Sequence, residues 1–139
     1  MAIARLNPDQ LHQTSGYAHV TIVDSGRLAV LAGQCPLDHD EQVVGRGDIL
    51  AQSDQVAANA REALAAAGAT PEDVIRSVIY VVSDDPSVLS AVWDRLTASD
   101  IGPAFTTAST LLGVAALGYR HQLVEVDLTA ALPDSPGSS

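Results

Sequence analysis

Pro103-Ala104-Phe105-Thr106 is the stretch on which the reading of this chain turns. It lies between an amphipathic segment, with Val88, Leu89, Val92, Trp93 and Leu96 on one face, and a run from about Phe105 to Leu112 that reads as a strand. Two other short pieces belong with it. Gly33-Gln34 closes an apolar run, Arg27 to Gly33, that reads as a buried strand. Val124-Glu125-Val126 sets a glutamate between two valines in a last strand, about Gln122 to Ala130. A glycine at 33 would let other groups approach the backbone closely.

Working outward, Ala2 to Arg5 reads as a short edge strand, and Ala18 to Val23 alternates like a half-buried one. Asp24-Ser25-Gly26 is a turn signal, so the strands on either side of it are expected to pair as an antiparallel hairpin. A polar loop from Pro36 to Gly47 has room for a small edge strand at Gln42-Val43-Val44. Asp48 is an N-cap for a helix from Ile49 to Ala67, with Val56, Ala60, Leu64 and Ala67 at helical spacing and Gly68 as its stop. Thr70-Pro71-Glu72-Asp73 caps a brief turn, and Val74 to Val82 is a β-branched strand. Asp85-Pro86 opens the second helix. The order predicts an α+β fold: one mixed sheet with both helices on one face. The other face then needs a cover, which favours an oligomer. Residues 1–131 are expected to form a single domain, and the Pro-, Ser- and Gly-bearing tail 132–139 to be disordered.

A chain of 139 residues is long enough for one real core. With 47% hydrophobic but 4% aromatic residues, that core must rest on Ala, Val, Leu and Ile. The net charge is −10 and the isoelectric point about 4.4. Nucleic acids and acidic membrane surfaces are disfavoured, because affinity for either is built on clustered Lys and Arg. No apolar run is long enough to span a bilayer, and the start, MAIARLNPDQ, has no apolar signal core. A single cysteine, Cys35, cannot form an internal disulfide, so a cytoplasmic location is the simplest expectation. His12, His19, His39 and His121 show no metal-ligand spacing and no phosphate-binding glycine loop is present, so neither metal nor cofactor is expected.

The pieces, in this order, resemble the RidA/YjgF family, whose members hydrolyse reactive enamines and imines. Ala32-Gly33-Gln34-Cys35-Pro36 resembles the family's step after the second strand. Gln52, Gln55 and Asn59 resemble its Gln-rich helix, Trp93 the aromatic of its second helix, and Ile79 to Asp84 its valine-rich strand and acidic turn. The resemblance runs from about Tyr17 to Ala130. It implies a chorismate-mutase-like fold in which three subunits form a barrel with clefts between neighbours. It further implies Glu125 as the catalytic, water-positioning carboxylate, and a substrate-binding set of Tyr17, Gly33, Phe105, Thr106 and Thr107.

One departure matters. Family deaminases carry an arginine after the Pro-Ala pair to grip a substrate carboxylate, and this chain has Phe105. Such a charge-assisted bond is worth about 1.5–3 kcal/mol. Ala32 likewise removes a family hydroxyl. The expected function is hydrolysis, as deamination, of an enamine- or imine-like or related carbonyl compound with altered specificity. The alternatives are a non-catalytic trimer that binds a small ligand and, ranked last, an endoribonuclease. For each residue a plainer role competes: Glu125 as a solvated strand residue, Phe105 as core packing, Tyr17 as a hairpin-edge phenol, and Cys35 as an inert small residue before Pro36. For Cys35 the plainer role is favoured over a nucleophile based by His39.

Overall fold

The computed structural model describes residues 2–133. Its strands are β1 (Ile3–Leu6), β2 (Val20–Val23), β3 (Leu28–Val30), β4 (Val74–Val82), β5 (Ala108–Val114) and β6 (Val124–Ala131). Its helices are α1 (Ile49–Ala66) and α2 (Pro86–Thr97), with 3-10 turns at Pro71–Asp73 and Gly102–Phe105. Both helix starts follow from capping. The Asp48 carboxylate accepts from the Ala51 amide at 3.0 Å, and that of Asp85 from the Ser87 amide at 2.9 Å. After α1 the chain turns at Gly68, whose φ of +81° favours glycine. Thr70 and Asp73 then form a reciprocal capping box before β4, which spans the predicted residues.

The larger sheet has the order β3-β6-β4-β5, with β4 and β5 parallel and the other pairs antiparallel. Both helices cover one face. Val124, Val126, Leu128 and Ala130 of β6 and Ile79 and Val81 of β4 alternate inward. They pack with Val56, Ala60 and Leu64 of α1 and Val92 and Leu96 of α2. The opposite face carries Glu125, Asp127 and Tyr80, together with exposed Leu28 and Val30, the latter 76% exposed.

Several expectations are corrected. β2 and β3 do not pair as a hairpin: β2 pairs with β1 and β3 with β6. Ala29 and Leu31 bury against the core, which takes β3 to β6 instead. Among the described residues the β1–β2 pair thus forms a small second sheet beside the mixed one, joined to it where Ala18 bridges Ala108 and the Ala108 amide donates to the Thr21 hydroxyl at 2.8 Å. The segment Gln42–Val44 forms no strand, only an isolated bridge from Val43 to Leu37. Phe105 does not begin a strand either. Pro103 sits in the 3-10 turn, the Thr106 amide donates back to Pro103, and extension starts at Ala108. Leu132, expected to open the disordered tail, has an ordered place in the fold. Leu132 is 8% exposed, joins the core, and donates its amide to Arg27 at 3.0 Å. The expectation for 134–139 lies outside the described residues.

Leu96→Ala removes a side chain with no solvent exposure at the α2–sheet contact. It is expected to cost about 2–5 kcal/mol in urea unfolding, while exposed Ser90→Ala stays within about 0.5 kcal/mol.

Candidate functional site

Glu125 stands on β6, on the face the helices leave open. Its Oε1 accepts from Gln122 Nε2 at 3.2 Å and from the Cys35 thiol at 3.3 Å. Its other oxygen, Oε2, lies over Gly33. A Cβ built on Gly33 would fall 2.3 Å from Oε2 and 2.7 Å from Asp127 Oδ1. Any larger residue at 33 would therefore displace these carboxylates. Tyr80 donates its hydroxyl to Asp127 Oδ2 at 3.0 Å, and that bond, with some burial and the nearby charge, raises the Tyr80 phenol above its usual range.

The polar face of α1 holds the segments that bear these groups. Gln52 has no solvent exposure; its Oε1 accepts from the Leu123 amide at 2.7 Å, and its Nε2 donates to the His121 carbonyl at 3.0 Å and the Gly45 carbonyl at 3.1 Å. Asn59 Nδ2 donates to the carbonyls of Cys35 and Leu37 at 2.9 and 2.8 Å, and Gln55 Nε2 in turn donates to Asn59 Oδ1 at 3.0 Å. Gln34 exchanges backbone bonds with Val126 at 2.8 and 3.1 Å, fixing the 33–35 step beside β6.

Gly33, Gln34, Cys35, Asn59, Glu62 and Tyr119 line an open cleft of about 510 Å³. The Tyr119 hydroxyl donates to Glu41 at 2.9 Å, which raises its phenol. Cys35 is partly buried, and its thiol is pushed up to about 11, first by burial and then by its bond to Glu125 and that residue's charge. The His39 side chain is fully exposed and pairs weakly with Asp40. The thiol is accordingly a hydrogen-bond donor rather than an activated nucleophile. Among the described residues, no cluster of His, Cys, Asp or Glu has a metal-holding arrangement.

The residues expected to form one cleft fall into two groups within the chain. Gly33 and Glu125 meet. Tyr17 lies elsewhere, its hydroxyl against His12 Nε2 at 2.8 Å and its ring edge-on to Trp93 at 6.2 Å. Trp93 in turn meets Phe105, at 5.9 Å. Phe105 is 1% exposed, so its ring belongs to the core instead of forming a platform. Thr106 is exposed, and its hydroxyl donates to the Pro103 carbonyl at 2.8 Å. Thr107 has no exposure; its hydroxyl contacts that of Thr21 and donates to the Ile75 carbonyl at 3.0 Å, so it is a structural residue. Phe105 and Glu125 are not sheet neighbours, because β4 lies between β5 and β6. Asp127 was legible as a site residue from the alternation Val124-Glu125-Val126-Asp127. Cys35 and Tyr80 come beside Glu125 through tertiary pairing that no local pattern marks, whereas Gln122 reaches it from three residues before.

The sequence model of the family described as Endoribonuclease L-PSP matches residues 8–132. The chain belongs to this family, that of the Rid and YjgF proteins. It is 36% identical to the Rid-family protein YyfB of Yersinia pestis, with a TM-score of 0.86 over 95% of this chain and 100% of that one. It is 34% identical over 82 residues to protein DfrA of Myxococcus xanthus, an alignment spanning 58% of this chain and 63% of that protein. RidA of an Antarctic Psychrobacter, 20% identical, shares the fold, with a TM-score of 0.65 over 93% of this chain and 99% of that one.

With its thiol pushed up to about 11 against an ordinary 9.0, Cys35 is expected to react with iodoacetamide at pH 8 about 100-fold more slowly than a free thiol. Alkylation rates measured from pH 7 to pH 11 check this, and a plateau below pH 10 would contradict it.

Proposed function

We propose that three copies of this chain assemble with Glu125 in clefts between subunits, and that each cleft hydrolyses a small enamine- or imine-like metabolite. The observation that carries this is the Glu125 carboxylate, with Oε1 held by two donors and Oε2, which accepts no hydrogen bond among the described residues, lying over Gly33. A water beside Oε2 gives it a proton while its oxygen adds to the imine carbon. The proton passes to the nitrogen, the carbinolamine collapses, and ammonia and a carbonyl compound leave. Within one chain Tyr17 and Thr106 lie away from this wall, so in this reading they reach the cleft from the neighbouring subunit.

Phe105 sets the specificity in this reading. Its ring is in the core and supplies nothing to a carboxylate. Substrates without a carboxylate, or with one gripped from elsewhere, are therefore favoured over ordinary 2-imino acids. A non-catalytic ligand-binding trimer is the second reading, favoured by the loss of polar cleft groups at Phe105 and Ala32. Cleavage of RNA, named in the family description, ranks below both, since a net charge of −10 opposes approach to phosphates.

Light scattering in neutral buffer is expected to give three times the 14.4 kDa chain mass. Val30→Asp, at the exposed apolar edge that Leu28 and Val30 give the open face, is expected to shift that mass towards the single chain with little change in circular dichroism. A wild-type monomer would overturn the assembly.

A panel of imines with and without a carboxylate, followed by semicarbazide competition, tests the chemistry. Turnover is expected on carboxylate-free imines, with 2-imino acids at least about 10-fold poorer, in line with the loss of one charge-assisted bond. Glu125→Gln is expected to abolish turnover and leave the mass unchanged. Full activity of that variant would remove Glu125 from the chemistry. Calorimetric binding without turnover on any member of the panel would favour the second reading.

A further inference from the structure

We propose that Cys35 is a positioning residue for Glu125: its thiol hydrogen, together with the Gln122 amide, holds Oε1 and thereby presents Oε2 as the open oxygen over Gly33. The inference rests on the reading of Glu125 as the base of the cleft. A carboxylate on an exposed strand face ordinarily samples several rotamers. Here two donors from different parts of the chain converge on one of its oxygens.

Both donors are themselves fixed. Gln122 is 3% exposed; its carbonyl oxygen accepts from the Tyr119 amide at 3.1 Å, and its Nε2 also donates to Val124 at 3.1 Å. The Cys35 backbone is held from one side by Asn59 of α1 and from the other by the Gln34–Val126 bonds to β6. These contacts fix the Cys35 backbone beside Glu125, so that the sulfur leaves the carboxylate only by rotation about χ1; the Gly33 carbonyl, at 3.6 Å, is its other acceptor. Burial and the adjacent carboxylate keep the thiol protonated through neutral pH, so its hydrogen stays available. A thiol is a weak donor, and its contribution is direction more than strength.

Gly33 completes the device from the other side. It leaves room for Oε2 where any Cβ would intrude. The Tyr80 hydroxyl holds the neighbouring Asp127 by its other oxygen. Glu125 is thus held by Cys35 and Gln122 at one oxygen, while the other lies against Gly33 and accepts no hydrogen bond among the described residues.

Three variants test this: Glu125→Gln, Cys35→Ala and Cys35→Ser. The Cys35 thiol is titrated by iodoacetamide rate in the wild type and in Glu125→Gln. Removing the charge is expected to raise the rate at pH 8 at least about 10-fold. An unchanged rate profile would show that the two side chains are not coupled and would overturn the proposal, whether or not the protein turns anything over. Crystal structures of the two Cys35 variants give the second readout. Glu125 is expected in its single orientation with serine, which keeps a donor, and in more than one with alanine. An ordered, unmoved Glu125 in Cys35→Ala would also overturn the proposal. On whichever imine the wild type accepts, Cys35→Ala is expected to lower kcat about 10-fold with KM within about 2-fold, and serine to restore it. Equal kcat in all three proteins would overturn the positioning role. Wild type inert on every imine, with the thiol and crystallographic results as expected, would instead overturn the hydrolytic reading alone.

Discussion

The buried amide of Gln52 is the constraint on which the open face of this molecule depends. A glutamine without solvent exposure must find partners for its oxygen and nitrogen, since each unpaired polar group would cost about 1–3 kcal/mol. Gln52 finds them in the backbones of Gly45, His121 and Leu123. The first lies in the loop before α1, the others at the entry to β6. One side chain therefore ties the helix to both segments that approach the cleft. Asn59, nearly two turns further along α1, does the same for Cys35 and Leu37. The helix buries an apolar stripe to build the core and spends its polar residues on aiming loops.

Much of the fold was legible because its signals are local. Asp48 and Asp85 cap their helices through bonds that span two or three residues, and β4 reads from its own β-branched run. The pairing of strands was less legible. A turn at Asp24–Gly26 implies reversal, yet which strand accepts β3 depends on Ala29 and Leu31 meeting a core assembled from residues a hundred positions away. Phe105 misleads for a related reason. Its strand-favouring side chain is overruled by Pro103, which sets a 3-10 turn whose outcome is to send the ring into the core.

The candidate site was legible in part. Glu125 and Gly33 were named separately, and the structure shows that they define each other. The glycine is required because the carboxylate occupies the space a side chain would take. The residues that hydrogen-bond Glu125 could not be read in this way. Cys35 precedes it by ninety positions, and Gln122 sits in the irregular segment just before β6, with no periodic signature. Thr107 shows the reverse error. A hydroxyl beside a suspected site looks available in the sequence, but its bond to the Ile75 carbonyl and its complete burial commit it to joining β5, β4 and the β1–β2 pair.

The two halves of the expected cleft differ in chemical character. Around Glu125 the groups are hydrogen-bonding and acidic, with Asp127 and Tyr80 alongside. Around Tyr17 they are aromatic, and Trp93 links that ring to the buried Phe105. A large basic side chain at 105, on a turn that directs it into the space beside Trp93, would carry a charge into an apolar layer unless the turn opened. A phenyl ring there closes the layer and stabilises it by burial and edge-on contact. Phe105 thus gives the core an aromatic anchor in a chain with few, and offers no charge to the groups around it.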